Sequence, residues 1–270
     1  MSALSSDVKT AFGMRDHTEA ATRHLPWHMQ FRLLFRLLFT DIRQEAPFLI
    51  VFSMLVPLGL LWALGTYVTE RGTDAAWFLA GNAVVAVSFS SVLFTLSRVA
   101  LMRLRQELDF YATLPVERTA FLAALFCLAQ VAALPGLTTS LVFGHWLVGI
   151  PFAQVVVAFP LALLAASSLT VVGAWVGTLV DSAGRLYLYT TMGYLIVLFL
   201  TPVMIPPDRV PPILQWTLHL LPPGQAALAL TEALAGRFEQ RFWLLVGALT
   251  VWLVIAVVFA IRRLDWRRDA

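Results

Sequence analysis

Residues 118–181 read RTAFLAALFCLAQVAALPGLTTSLVFGHWLVGIPFAQVVVAFPLALLAASSLTVVGAWVGTLVD, and between Arg118 and Asp181 no side chain carries a formal charge at pH 7. About 20 helical residues cross a hydrocarbon core of roughly 30 Å. The stretch is too long for one crossing and fits two, with Gly149-Ile150-Pro151 as the natural break. It predicts spans over 121–148 and 152–180, each carrying an internal proline, Pro135 and Pro160, expected to kink it. The apolar runs are continuous rather than alternating, which argues for helices and against a β-barrel.

Working outward, four further apolar runs predict spans over 47–68, 76–97, 186–205 and 242–261. The whole chain agrees with them: 270 residues, 59% hydrophobic, 13% charged, with a mean hydropathy of +0.79, hold more apolar material than a soluble core can hide. The expected fold is an all-α integral membrane protein of six transmembrane helices. Its membrane domain runs over residues 26–265, between a flexible tail at 1–25 and a short cytoplasmic tail at 266–270. With only 15 glycines, one cysteine and a net charge of +3, the composition excludes collagen, a disulfide scaffold, a disordered tail and a nucleic-acid binder. The first 45 residues lack the apolar core and small-residue cleavage site of a secretory signal, so the N-terminus is expected to remain on the mature protein.

Lysine and arginine concentrate in loops on the cytoplasmic side. With the N-terminus inside, 15 of the 19 basic residues fall in cytoplasmic segments, leaving Arg71, Arg209, Arg237 and Arg241 outside. Six crossings with both termini cytoplasmic follow, and the arginine-rich usage suggests a bacterial cytoplasmic membrane.

Three segments outside the spans carry information. PWHMQFRLLFRLLFTDIRQE, residues 26–45, sets Arg32, Arg36 and Arg43 among Phe31, Leu34, Phe35 and Leu38, the pattern of an amphipathic helix lying in the cytoplasmic interface against membrane lipids. A cytoplasmic helix packed on a partner has the same pattern. In the loop after the second span, Arg103, Arg105, Glu107, Asp109, Glu117 and Arg118 flank Phe110-Tyr111, and Leu114-Pro115 ends any helix before a new one begins at Val116. A docking element for a soluble subunit has this composition, and so does a solvated loop. Between the fifth and sixth spans, proline pairs separate ILQWTLHLL (213–221) from QAALALTEALA (225–235); both are apolar and too short to span, and are expected to be re-entrant helices against the bundle.

Several chemistries find no residues to carry them. Lys9 is the only lysine and no glycine-rich loop precedes it, so there is no P-loop. His17, His24, His28, His145 and His219 show no metal spacing, and Cys127 sits mid-span among small apolar neighbours, where it reads as packing. His145, near the outer end of the third span, reads as an interfacial hydrogen-bonding residue. The six spans contain no Asp, Glu, Lys or Arg, which argues against ion-coupled transport and membrane-embedded catalysis. No catalytic residue and no metal site are expected. A channel, a scaffold or a pathway subunit driven by another polypeptide remains.

The stretch ELDFYATLPVERTAF (107–121) resembles the cytoplasmic loop of ABC-2 type transporter permeases, in which an acidic residue precedes a leucine-rich turn, a TLPV-like segment, an arginine and the third span. PVMIPPDRVPPILQWTLHLLPPGQAALALTEALAG (202–236) is similar to that family's outer segment. Where the family often has a glycine after the acidic residue, Leu108 and Asp109 stand here.

The resemblance implies a transmembrane subunit of an ABC exporter, paired with a second identical or related permease and with two ATP-binding subunits beneath. ATP and Mg would be held by those subunits, and no cofactor by this chain. It further implies that Arg103, Arg105, Glu107, Asp109, Tyr111 and Pro115 dock the ATPase, and that a pathway is lined by the first, second and fifth spans. Trp62, Phe89, Phe94, Tyr194 and Phe199 would offer that pathway an aromatic surface. The expected cargo is a hydrophobic small molecule, drug or lipid-like substrate. A polysaccharide or lipid-linked glycan permease, and a non-transporting scaffold recruiting a cytoplasmic partner, are the alternatives.

Overall fold

A computed structural model describes residues 25–71, 75–107, 110–111, 116–195 and 203–263. The described residues form helices and turns, without strands. The expected tails, apart from Leu25, lie outside them, as do Asp109, Pro115 and Phe199.

The chain begins with α1 (Trp27–Ile42), whose buried residues Gln30, Leu34, Leu38 and Ile42 recur every four positions and so share one face. α2 (Ala46–Arg71) follows. α3 is the continuous helical run Ala75–Leu104, interrupted by a π-helical turn at Phe89–Leu93. It extends seven residues beyond the expected span end at 97, and Gln106, with a left-handed φ of 59°, turns the chain away below it.

α4 (Arg118–Val148) contains Pro135 and, four residues further on, a second π-helical turn at Thr139–Phe143. A proline removes one backbone donor from the helical ladder, so the carbonyl one turn before it loses its helical partner. The helix starts at Arg118 rather than Val116, with extended Glu117 as its N-cap. The expected break is where the sequence places it. Gly149, at φ 75°, closes α4 in the left-handed region that glycine adopts without steric cost, and Pro151 precedes α5 (Phe152–Thr178). His145 Nδ1 meets the carbonyl of Ile150 across that turn.

α6 (Ala183–Leu195) occupies the first part of the expected fifth span, and residues 196–202 are outside the described ones. Two short helices, α7 (Pro212–Leu220) and α8 (Pro222–Leu234), come next, then α9 (Gln240–Arg263). Every residue of α8 is buried, packed against α3, α5 and α9. Glu232 is its one charged side chain; it accepts from Arg237 Nε at 2.8 Å and faces Arg241 at 3.7 Å.

Five of these helices, α2, α3, α4, α5 and α9, are long and apolar enough to cross a membrane. The larger apolar core joins α3, α5 and α8 at one end of the bundle. A smaller core at the opposite end joins α1 to the start of α4 through Leu34, Leu38, Ile42, Phe121, Ala124 and Leu125.

Candidate functional site

At that second end, α1 is fastened to the bundle by polar contacts as well as packing. Trp27 Nε1 donates to Thr119 Oγ1 at 3.1 Å. The Glu117 backbone N–H donates to Gln30 Oε1 at 2.6 Å, and Gln30 Nε2 donates to the Leu25 carbonyl at 2.6 Å. Buried Gln30 thus satisfies its amide on both sides while capping the start of α4, as a buried amide must. Trp27, Phe31, Phe35 and Phe39 form a stacked ladder along α1 with ring centroids 5.7–6.1 Å apart. The basic side chains Arg32, Arg36 and Arg43 are exposed.

The charged link is between Arg98, near the end of α3 and only 9% exposed, and Asp41, near the end of α1. A buried guanidinium is tolerable only with a counter-charge, and the half-exposed Asp41 carboxylate provides it. Tyr111 is buried beside them, with its ring 5.1 Å from Phe121 and 5.8 Å from Phe110. Burial pushes its hydroxyl above the ordinary tyrosine range; Arg98 opposes this, while Glu107 and Asp41 reinforce it, so Tyr111 is a neutral donor at physiological pH.

Arg36, Leu37, Thr40, Asp41, Gln44, Glu107, Phe110 and Tyr111 line a surface depression of about 680 Å³. The structure therefore brings Arg36 of the expected interfacial helix together with Glu107 and Tyr111 of the expected docking loop. Arg105 sits 3.7 Å from Glu107, and Arg103 is exposed outside the depression. The Asp41–Arg98 link escaped the sequence reading. The available signal was an arginine standing directly against the apolar run VALM (99–102), and Asp41 as the sole acid of α1.

Next to this junction, a groove of about 460 Å³ runs between α2, α3 and α6. Phe48, Phe52, Phe89, Phe94 and Tyr187 supply aromatic surface, while Ser53, Ser90, Ser97, Thr190 and Thr191 supply hydroxyls. Glu45 and Arg98 are its charged residues, so the groove meets the junction at Arg98. Of the five aromatic residues singled out from the sequence, Phe89 and Phe94 line it. Trp62 stands outside it and is 85% exposed on α2. Tyr194 belongs to α6, but its side chain, like Phe199, is outside the described residues.

The length and apolarity of five helices make this chain a multi-pass membrane protein. Comparison with protein-family models and with curated proteins yields no match.

Proposed function

We propose that this chain is the permease subunit of an ATP-binding cassette exporter, six-spanning in the cell membrane with both termini cytoplasmic. The depression around Glu107 and Tyr111 serves as the docking surface for a nucleotide-binding subunit, and the adjoining groove as part of the pathway for a hydrophobic small molecule, drug or lipid-like substrate. The observation that carries this reading is an ion pair that bridges the two sites: Arg98 lines the groove and is paired with Asp41, which lines the depression. A force applied to α1 or to the loop after α3 reaches the groove wall through that ion pair and α3. ATP and Mg belong to the partner. A second permease copy or relative covers the exposed flank of α2 and α6, and α7 and α8 act as re-entrant helices at the outer end.

The resemblance of residues 107–121 and 202–236 to ABC-2 permeases supports the same reading. A mild-detergent pull-down of the tagged full chain tests it. A soluble nucleotide-binding protein should be retained by the wild type and lost when residues 103–115 are deleted, and substrate should stimulate its ATPase activity in the reconstituted complex. Glu107→Arg should lower transport severalfold while leaving membrane insertion intact. If no ATPase is retained under conditions that keep the membrane complex whole, a scaffold takes the place of the permease; stimulation by a lipid-linked glycan alone would favour the polysaccharide reading.

A further inference from the structure

The groove between α2, α3 and α6 has a composition that selects a ligand. Its volume of about 460 Å³ lies in the range of sites for drug-sized molecules. Phe48 and Phe52 stack on α2 at 6.0 Å, and on α3 Phe89 opens the π-helical turn that Phe94 follows. Tyr187, on α6, closes the opposite rim and is 76% exposed, so the groove opens to the flank of the bundle. A π turn shifts the register of the side chains that follow it, which aims two aromatic residues of one helix at the same space.

The charges decide the rest. Arg98 is already met by Asp41. Glu45, at the junction between α1 and α2, lines the same groove, and its carboxylate has no partner among the described residues. Among the described residues the lining therefore carries one uncompensated negative charge beside five aromatic rings and no uncompensated positive charge.

We propose that this groove binds an amphipathic organic cation. Its aryl or alkyl body lies against the phenylalanines, its charge is drawn to the Glu45 carboxylate and the aromatic faces, and the serine and threonine hydroxyls meet its polar substituents. An anionic amphiphile of the same shape is repelled by Glu45 and finds in Arg98 a guanidinium whose charge is taken. The assignment names the substrate class of the pathway proposed above and rests on that reading for its transport meaning, while binding itself requires no ATPase.

The test is equilibrium binding of radiolabelled tetraphenylphosphonium to the purified full chain in nanodiscs of neutral lipid, with empty nanodiscs as background. Saturable binding is expected. It should weaken about tenfold in Glu45→Gln and about threefold in Tyr187→Ala, whose exposed ring is not needed for folding, and stay unchanged in Trp62→Ala, which lies outside the groove. Tetraphenylborate, the shape-matched anion measured separately by thermal shift, should raise the unfolding temperature far less than the cation does. Absence of saturable binding, wild-type affinity in Glu45→Gln, or equal stabilisation by the anion overturns the proposal. Cation binding without a co-purifying ATPase would leave the site standing and remove the exporter, whereas ATP-driven transport of neutral compounds without cation binding would do the reverse.

Discussion

α2 and α5 are both long, proline-containing and strongly apolar, yet 17% of the α2 span is buried within the bundle against 61% of α5. The difference lies in side-chain size. α5 presents Ala158, Ala162, Ala165, Ala166, Gly173, Ala174 and Gly177 to its neighbours, and such residues let backbones approach closely where lipid offers no hydrophobic drive to association. α2 presents Phe48, Val51, Leu55 and Trp62 outward, and α9, with 11% of its span buried, does likewise through Trp243, Leu244, Val251 and Val254. Apolarity sends a helix into the membrane. Small residues bring it to the centre of the bundle.

The sharpest way to break this comparison is a glycine pair. A Cβ built on Gly173 of α5 would stand 2.5 Å from the Val92 carbonyl oxygen in the π turn of α3, whereas one on Gly247 of α9 would meet nothing within 4 Å. Gly173→Ala should cost about 1–3 kcal/mol and visibly lower the thermal unfolding temperature in detergent. Gly247→Ala should leave that temperature unchanged or slightly raised, because alanine is the better helix former. Equal effects at the two positions would mean that the α3–α5 crossing is looser than described.

An effect of the same order is expected where α1 meets the bundle. Asp41→Ala leaves the Arg98 guanidinium buried without its counter-charge, at a cost of about 1–3 kcal/mol. Adding Arg98→Met should restore most of that loss, and a double-mutant cycle on unfolding in denaturing detergent reads the coupling. If the double variant loses the sum of what Asp41→Ala and Arg98→Met lose separately, the pair carries no coupling and α1 is held by packing alone.

The smallest effect belongs to the periphery. Leu55→Ala, on the exposed face of α2, should change the stability of the isolated subunit by less than about 0.5 kcal/mol, since that side chain is 62% exposed. The same substitution should matter more once the proposed second permease covers the face. Cross-linking yield between copies carrying a cysteine at position 55 would show which situation holds.

Much of this architecture is legible in the sequence because its signals are local. The uncharged run between Arg118 and Asp181, the Gly149-Ile150-Pro151 break, the four-residue rhythm of α1 and the proline-bounded α7 and α8 each follow from which groups a membrane or a turn tolerates. The sequence also pointed to Glu107, Tyr111 and Arg36, though as members of two separate segments.

Their meeting in one depression was a matter for the tertiary structure, and so were the Asp41–Arg98 pair and the selection of Phe89 and Phe94, but not Trp62, for the groove. Hydropathy averages over a helix and carries no information about its rotation. Which face of α2 looks inward, and which acid lies across from an arginine 57 positions away, depends on how helices cross, and the crossings are set by small residues contributed from several helices at once. What the sequence alone determined is the set of five helices long and apolar enough to cross a membrane, since the cost of burying a charge or an open backbone group there is paid residue by residue; which side chains face one another was decided only when those helices packed.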